Sequence, residues 1–225
     1  METIKHLKHA TVFGLLLAFA STAMAQVKVD TRIGVLEFTH DFENGYPTDK
    51  TIAKLYDEMD FQRATQAYIW AIPIVSAARW HQLDREDHGA KLGDIIIRST
   101  FDERLGMLTI NNDTFYAAFD LHLDESGPTV IEIPKGIKAR GSALDMWQRP
   151  IASMAKPGKY LFMPPGAKEL KDTKGFTVLK SPQNGVIVAI RLFAKTDKEK
   201  EQLSKKVLIY PYSKRNYPPK ESRLI

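Results

Sequence analysis

The sequence predicts an α+β fold: an antiparallel β-sandwich or barrel-like body, preceded by a bent helical segment and followed by a short C-terminal helix. Three observations carry that prediction. Apolar residues Ile52, Leu55, Tyr56 and Met59, then Ala64, Ala67, Tyr68, Ala71 and Ile72, recur at helical spacing. From Ile95 onward the period changes to two, with Phe115, Ala117, Phe119, Leu121 and Leu123 alternating against Tyr116, Ala118, Asp120 and His122. Turn-rich separators then divide the remainder into several short strands, the spacing of a sandwich or barrel.

Taken in order, Val27 to Phe38 leans toward β-structure, and Asn44-Gly45 with Pro47 supplies turn chemistry. Thr48 is a fitting N-cap, and Asp49 places a negative charge where the helix dipole favours it. Helix is predicted from Thr48 to about His81, with a joint at Asp60-Phe61 and a bend near Pro73. A polar loop should follow from Gln82 to Leu92. The strand ending near Leu123 is expected to form a hairpin with Thr129 to Ile133 across the turn Asp124 to Pro128. Further strands are predicted at Ser142 to Trp147, Lys159 to Met163, Phe176 to Leu179 and Val186 to Phe193. Thr196 and Glu199 form a capping-box pair opening a helix to about Lys206. Val207 to Tyr210 is a last apolar stretch, and residues 214–225 read as a basic, proline-containing tail, more solvated end than lipid-binding arm.

Residues 1–25 read as an address. Lys5 and Lys8 precede the apolar run Val12 to Ala20, and Ala23 and Ala25 put small side chains before Gln26. That is the layout of a cleaved secretory signal, and the run is short of the roughly 20 apolar residues a membrane helix needs. The expectation is a single domain over residues 26–213, periplasmic or secreted, with no integral membrane span after cleavage. The chain has no cysteine, so disulfides and thiolate metal sites are excluded. Its 32 Lys and Arg against 27 Asp and Glu give +5, a mild excess. Export and the lack of a basic stripe interleaved with aromatics argue against nucleic acid.

Four constellations carry chemistry-capable groups. Asn111-Asn112-Asp113-Thr114 is a structured turn, or a carboxylate with two amides gathered at a strand end, or both. Asp145, Trp147 and Arg149 would share one face of a strand, as a ligand platform or as a buried Trp with a structural ion pair. Arg63, Gln66 and Trp70 share a helix face, a pattern that solvent exposure alone explains. His81, Asp84, Asp87 and His88 are metal-capable types, but HExxH is absent and Arg79 and Arg85 add repulsive charge. His40 and His122 stand isolated. No nucleophile elbow, Walker A loop or dinucleotide-binding glycine motif occurs, and neither cofactor nor metal is expected.

Thr31 to Phe38, Asn44 to Ser76, Asn111 to Ala117, Met146 to Ile151, Gly158 to Gly166 and Val178 to Phe193 together resemble the domain of unknown function 1254. The resemblance implies a β-rich α+β fold, frequent export and, typically, a following domain of unknown function 1214; it brings no reaction. Two departures stand out. Only Ala152 to Pro157 separates the QRP and GKYL blocks, where relatives have a longer loop. The chain also ends about where the second domain would begin, so a separate chain or a homo-oligomer contact would have to replace that half.

Three functions follow as expectations. The first is a periplasmic module binding a small polar ligand or a partner on a sheet concavity lined by Asn112, Asp113, Tyr116, Asp145, Trp147 and Arg149. The second is a hydrolase with Asp113 or Asp145 as general base and Arg149 or Lys159 stabilising negative charge. The third is a structural interaction subunit pairing with a separate chain like domain 1214. Whether the protein is an enzyme stays open at this point.

Overall fold

Thr48 starts the longest element of the chain. Its carbonyl accepts from Ile52 N at 2.8 Å and its Oγ1 from Thr51 N at 3.3 Å, as the capping residue of a helix should. The helix, α1, runs Asp49–Gln82 without the joint expected at Asp60-Phe61, and Pro73 lies inside it. In this computed structural model residues 27–40, 45–98 and 115–225 are described; the signal-like segment and Asn111 to Thr114, with Asn112 and Asp113, lie outside them. The chain divides into two units, Met1–Ile69 and Trp70–Ile225.

In the first unit β1 (Val27–Thr31) and β2 (Gly34–Phe38) form an antiparallel hairpin. Buried Thr51 secures it: its Oγ1 accepts from Glu37 N at 2.7 Å and donates to Glu37 O at 2.9 Å. One hydroxyl thus meets both backbone groups of a strand residue, satisfying polar groups that burial would otherwise leave costly.

The second unit holds two facing sheets. One has the order β3 (Ile96–Arg98), β4 (Phe115–His122), β10 (Gly185–Leu192), β6 (Ala139–Asp145), β7 (Pro150–Met154). The other has the order β11 (Leu208–Pro211), β5 (Thr129–Ile133), β8 (Gly158–Met163), β9 (Phe176–Lys180). Pairing is antiparallel except for β8 with β9, which run parallel. Neither sheet closes on itself, so the body is a sandwich and not a barrel. Alternation fills the space between the sheets. Val186, Val188, Ile190 and Leu192 of β10 point inward with Ala117, Phe119 and Leu121 of β4, against Ile131, Ile133, Phe162 and Ile209 of the second sheet. A smaller cluster of Val130, Leu161, Met163, Tyr210 and Tyr212 occupies the far face of that second sheet.

The expected strands are present, but the expected hairpin is not. β4 and β5 belong to different sheets, because a one-turn helix, α2 (Leu123–Ser126), carries the chain across. Leu123 is buried in the core, and Gly127 takes φ 66, a backbone open to glycine at little cost. The predicted polar loop after α1 instead opens with a π-helical turn at Leu83–Asp87. α3 (Asp197–Lys206) is capped as predicted, with Glu199 N donating to Thr196 Oγ1 at 3.1 Å, although the Glu199 carboxylate reaches Lys195 N (2.7 Å) and not the cap residue.

The tail is not simply solvated. Ile225 N donates to Ile95 O and its carbonyl accepts from Ile97 N, both at 3.0 Å, while Arg223 pairs with buried Asp94. These contacts cover the β3 edge, which would otherwise present unpaired backbone groups. Fully buried Leu121 belongs to the core shared by the sheets. Leu121→Ala should therefore cost about 2–5 kcal/mol, measured as a lower midpoint in urea denaturation with the m-value unchanged.

Candidate functional site

The outward face of β4 carries Tyr116, Ala118, Asp120 and His122, opposite in direction to its core residues. The end of α1 sets His81 against that face. Its Nε2 lies 3.3 Å from Asp120 Oδ1, close enough for an ion pair though misaligned for a hydrogen bond. Its ring meets that of His122 edge-on, with centroids 4.7 Å apart. Gly185, which pairs with His122 in the sheet, makes the approach possible. A β-carbon there would fall 2.5 Å from Met146 Sδ and 3.2 Å from His81 Cε1.

The side chains of His81 and Asp120 are 9% and 8% exposed. Three of their polar atoms and their neighbour's, His81 Nε2, Asp120 Oδ2 and His122 Nε2, are buried with no hydrogen-bond partner among the described residues. Buried polar atoms are nearly always paired, and here three without a hydrogen bond among the described residues sit on neighbouring side chains. Beside Asp120 and His122 lies a cavity of about 350 Å³, bordered also by Asp84, Lys91, Phe119 and Ser126. Its charged rim is mostly satisfied: Asp94 pairs with Arg223 and accepts from Lys91 N at 2.7 Å, and Arg85 grips Glu125 at 2.6 Å.

Burial, more than the neighbouring His81 and Arg85, holds the His122 pKa below the usual imidazole value. The ring is therefore neutral near pH 7, and its Nε2 donates or accepts according to tautomer. Ser126 Oγ, a hydroxyl at the cavity, is committed to His122 O (2.9 Å) and Thr129 Oγ1 (2.8 Å). The Asp120 and His122 side chains border the space, while their unpaired atoms Oδ2 and Nε2 are themselves buried behind it.

The residues expected from sequence are placed elsewhere. β6 ends at Asp145, and residues 146–149 form a turn, so Asp145, Trp147 and Arg149 do not share a strand face. The turn closes through Gln148 N to Asp145 O (2.8 Å) and Asp145 N to Arg149 O (2.9 Å), with Gln148 at φ 60. Asp145, 2% exposed, is its anchor. Oδ1 accepts from Trp147 N and Arg149 N, both at 2.9 Å, and Oδ2 from Arg149 Nε at 2.8 Å. Trp147 packs on Trp70 of α1 with centroids 4.3 Å apart, and Gln148 Nε2 donates to Pro73 O at 3.1 Å. Tyr116 lies at the opposite end of β4 from His122, with its hydroxyl accepting from Arg191 Nε at 3.0 Å.

Of the metal-capable group, His81 turns inward, buried Asp84 lines the cavity, and exposed Asp87 meets Arg79 at 3.7 Å. Among the described residues no three His, Asp or Glu are placed to hold a metal ion. Alternation along β4 already put Asp120 and His122 on one face. The partner His81 was not legible, since nothing local says where a helix end will dock.

Two outcomes follow from this geometry. Asp145→Ala leaves two turn N–H groups and a guanidinium unpaired and should cost about 2 kcal/mol or more, read from chemical denaturation. Because folding depresses the His122 pKa, the unfolded state binds the proton more readily, so stability is full above about pH 6.5 and falls as pH drops below it toward the folded value. His122→Gln should flatten that part of the stability–pH curve.

Among the described residues no helix is long and apolar enough to cross a membrane. No curated protein matches the chain. Among solved structures, the VPA0106 protein from Vibrio parahaemolyticus is similar at 19% identity and a TM-score of 0.52, a likeness of fold. The match covers 70% of this chain and 40% of that one, so this chain corresponds to well under half of its neighbour. The family described as protein of unknown function (DUF1254) matches residues 96–211, the two-sheet body, while the blocks at Thr31 to Phe38 and Asn44 to Ser76 fall outside the match. With more than half its length matched, from β3 at Ile96 through both sheets to the end of β11, the chain belongs to the DUF1254 family.

Proposed function

We propose that the protein is an exported module that binds a small polar ligand in the cavity beside Asp120 and His122. The observation that carries this reading is the trio of buried atoms without a hydrogen bond among the described residues, His81 Nε2, Asp120 Oδ2 and His122 Nε2. A ligand hydroxyl or amine can donate to the carboxylate and meet the neutral imidazole, supplying the pairing that burial demands. A volume of about 350 Å³ suits a ligand of monosaccharide or amino-acid size. The signal-like residues 1–25 support export, which cell fractionation tests: the shortened chain belongs in the periplasm or medium, and full-length chain in the cytosol would refute it.

Binding is favoured over hydrolysis by what the candidate catalytic groups already do. Asp145 spends both oxygens on its own turn, and Ser126 is bonded to its neighbours. A second reading, a surface for a partner chain, draws on the large side chains exposed on the last turns of α1: Trp70 at 68%, Val75 at 61% and Ile72 at 47%.

The purified protein, screened by thermal shift against sugars, amino acids and polyols, should be stabilised by one chemical class. A ligand at 100 times its dissociation constant contributes about 2.7 kcal/mol. Asp120→Asn, which exchanges an acceptor oxygen for a donor, should weaken that ligand about tenfold or more. A flat response across the panel, or equal binding by the variant, would refute the reading.

A further inference from the structure

At the other end of the same sheet face the structure assembles cations that no carboxylate of the described residues pairs. Arg191 on β10 stands directly across the ladder from Arg140 on β6, and on its other side from Tyr116 on β4. Directly opposed residues of an antiparallel pair project from the same face, so Tyr116, Arg191 and Arg140 form a row across three strands. The Arg191 guanidinium bonds the Tyr116 hydroxyl through Nε and Nη2 and lies 5.0 Å from the ring centre. Lys138, next outward from Arg140 in the alternation, holds its ammonium 5.3 Å from the Phe193 ring. Among the described residues no carboxylate pairs with Arg140 or Arg191.

Like charges directly opposed in a sheet are destabilising, and nothing in the folding of β6 or β10 requires them. Among the described residues, the remaining positions of these three strands bring no acid next to the row. The next row holds Ala118, Ala189 and Ser142, and the row after it Asp120, Ile187 and Leu144. Asp120, an acid on this face, is thus four residues from Tyr116 along β4, roughly 14 Å away. A guanidinium whose Nε and one Nη engage a phenol oxygen keeps further N–H groups to offer, and the phenol keeps its own proton to donate.

From this we infer an oxyanion-binding site on Arg191, Arg140 and Tyr116, taking a carboxylate or phosphate group of a small solute. Arg forks match the paired oxygens of such groups, and an anion seated between the arginines replaces their repulsion with two attractions. The row sits on the central strand of the sheet and its two neighbours, so the donors are held by paired backbone. The site is separate from the cavity beside His122 and stands whether or not that cavity binds a ligand.

Isothermal titration of the purified protein with inorganic phosphate and with citrate, at constant ionic strength set by chloride, tests this. Saturable binding of at least one anion is expected, weakened about tenfold or more in both Arg140→Met and Arg191→Met and unchanged in Lys180→Met, an exposed cation on the other sheet. Arg140 is exposed, so its variant keeps the fold even if Arg191→Met does not, and circular dichroism checks both. No saturable binding of either anion up to about 10 mM, a weaker range than small-solute sites use, overturns the assignment. So does affinity retained in the folded Arg140→Met protein.

Discussion

Strand β4 serves two environments at once, and the rest of the molecule is arranged around that requirement. Its inward residues Ala117, Phe119 and Leu121 are buried between the sheets, while Tyr116, Asp120 and His122 face the other way. A strand has a strict period of two, so a slip of one residue would exchange these sets, burying a carboxylate in the core and exposing leucine. Pairing with β10 over eight residues, from Phe115 with Leu192 to His122 with Gly185, fixes the register. Core packing and site chemistry are therefore set by a single alignment.

The outward face is electrostatically polarised along the strands. One end gathers Arg191 and Arg140, the other a carboxylate with two imidazoles, and alanines and a serine lie between. Small side chains in the middle leave neither charge cluster able to reach the other. Each end must then find its compensation locally or from solution, since the sheet holds them a fixed distance apart. The inner face shows no such division, being aliphatic and aromatic along its length.

Much of this body was legible in the sequence. The helix start at Thr48, the cap at Thr196 and the strands near Lys159, Phe176 and Val186 follow from caps, periods and turn residues that act over a few positions. What failed were statements about distant pairing. Thr129 to Ile133 follows β4 after a short turn-like segment, yet its ladder partners are β8 and β11, because the buried Leu123 pulls the intervening residues into a helical turn that changes sheets. Asp145 read as one face of a strand and proved to be the anchor of a turn, since a carboxylate that bonds two backbone N–H groups ends a ladder instead of extending it. The meeting of His81 with Asp120 and His122 depends on where a helix docks, which no local pattern encodes.

Gly185 gives this arrangement a marker that can be read without coordinates. The imidazole of His81 and the thioether of Met146 occupy the volume that a methyl group at position 185 would fill. A family member bearing any larger residue at the corresponding place must seat its aromatic ring differently, and would lose the company of histidine and aspartate as a unit. That one missing side chain is therefore what lets the helix end and the strand end meet.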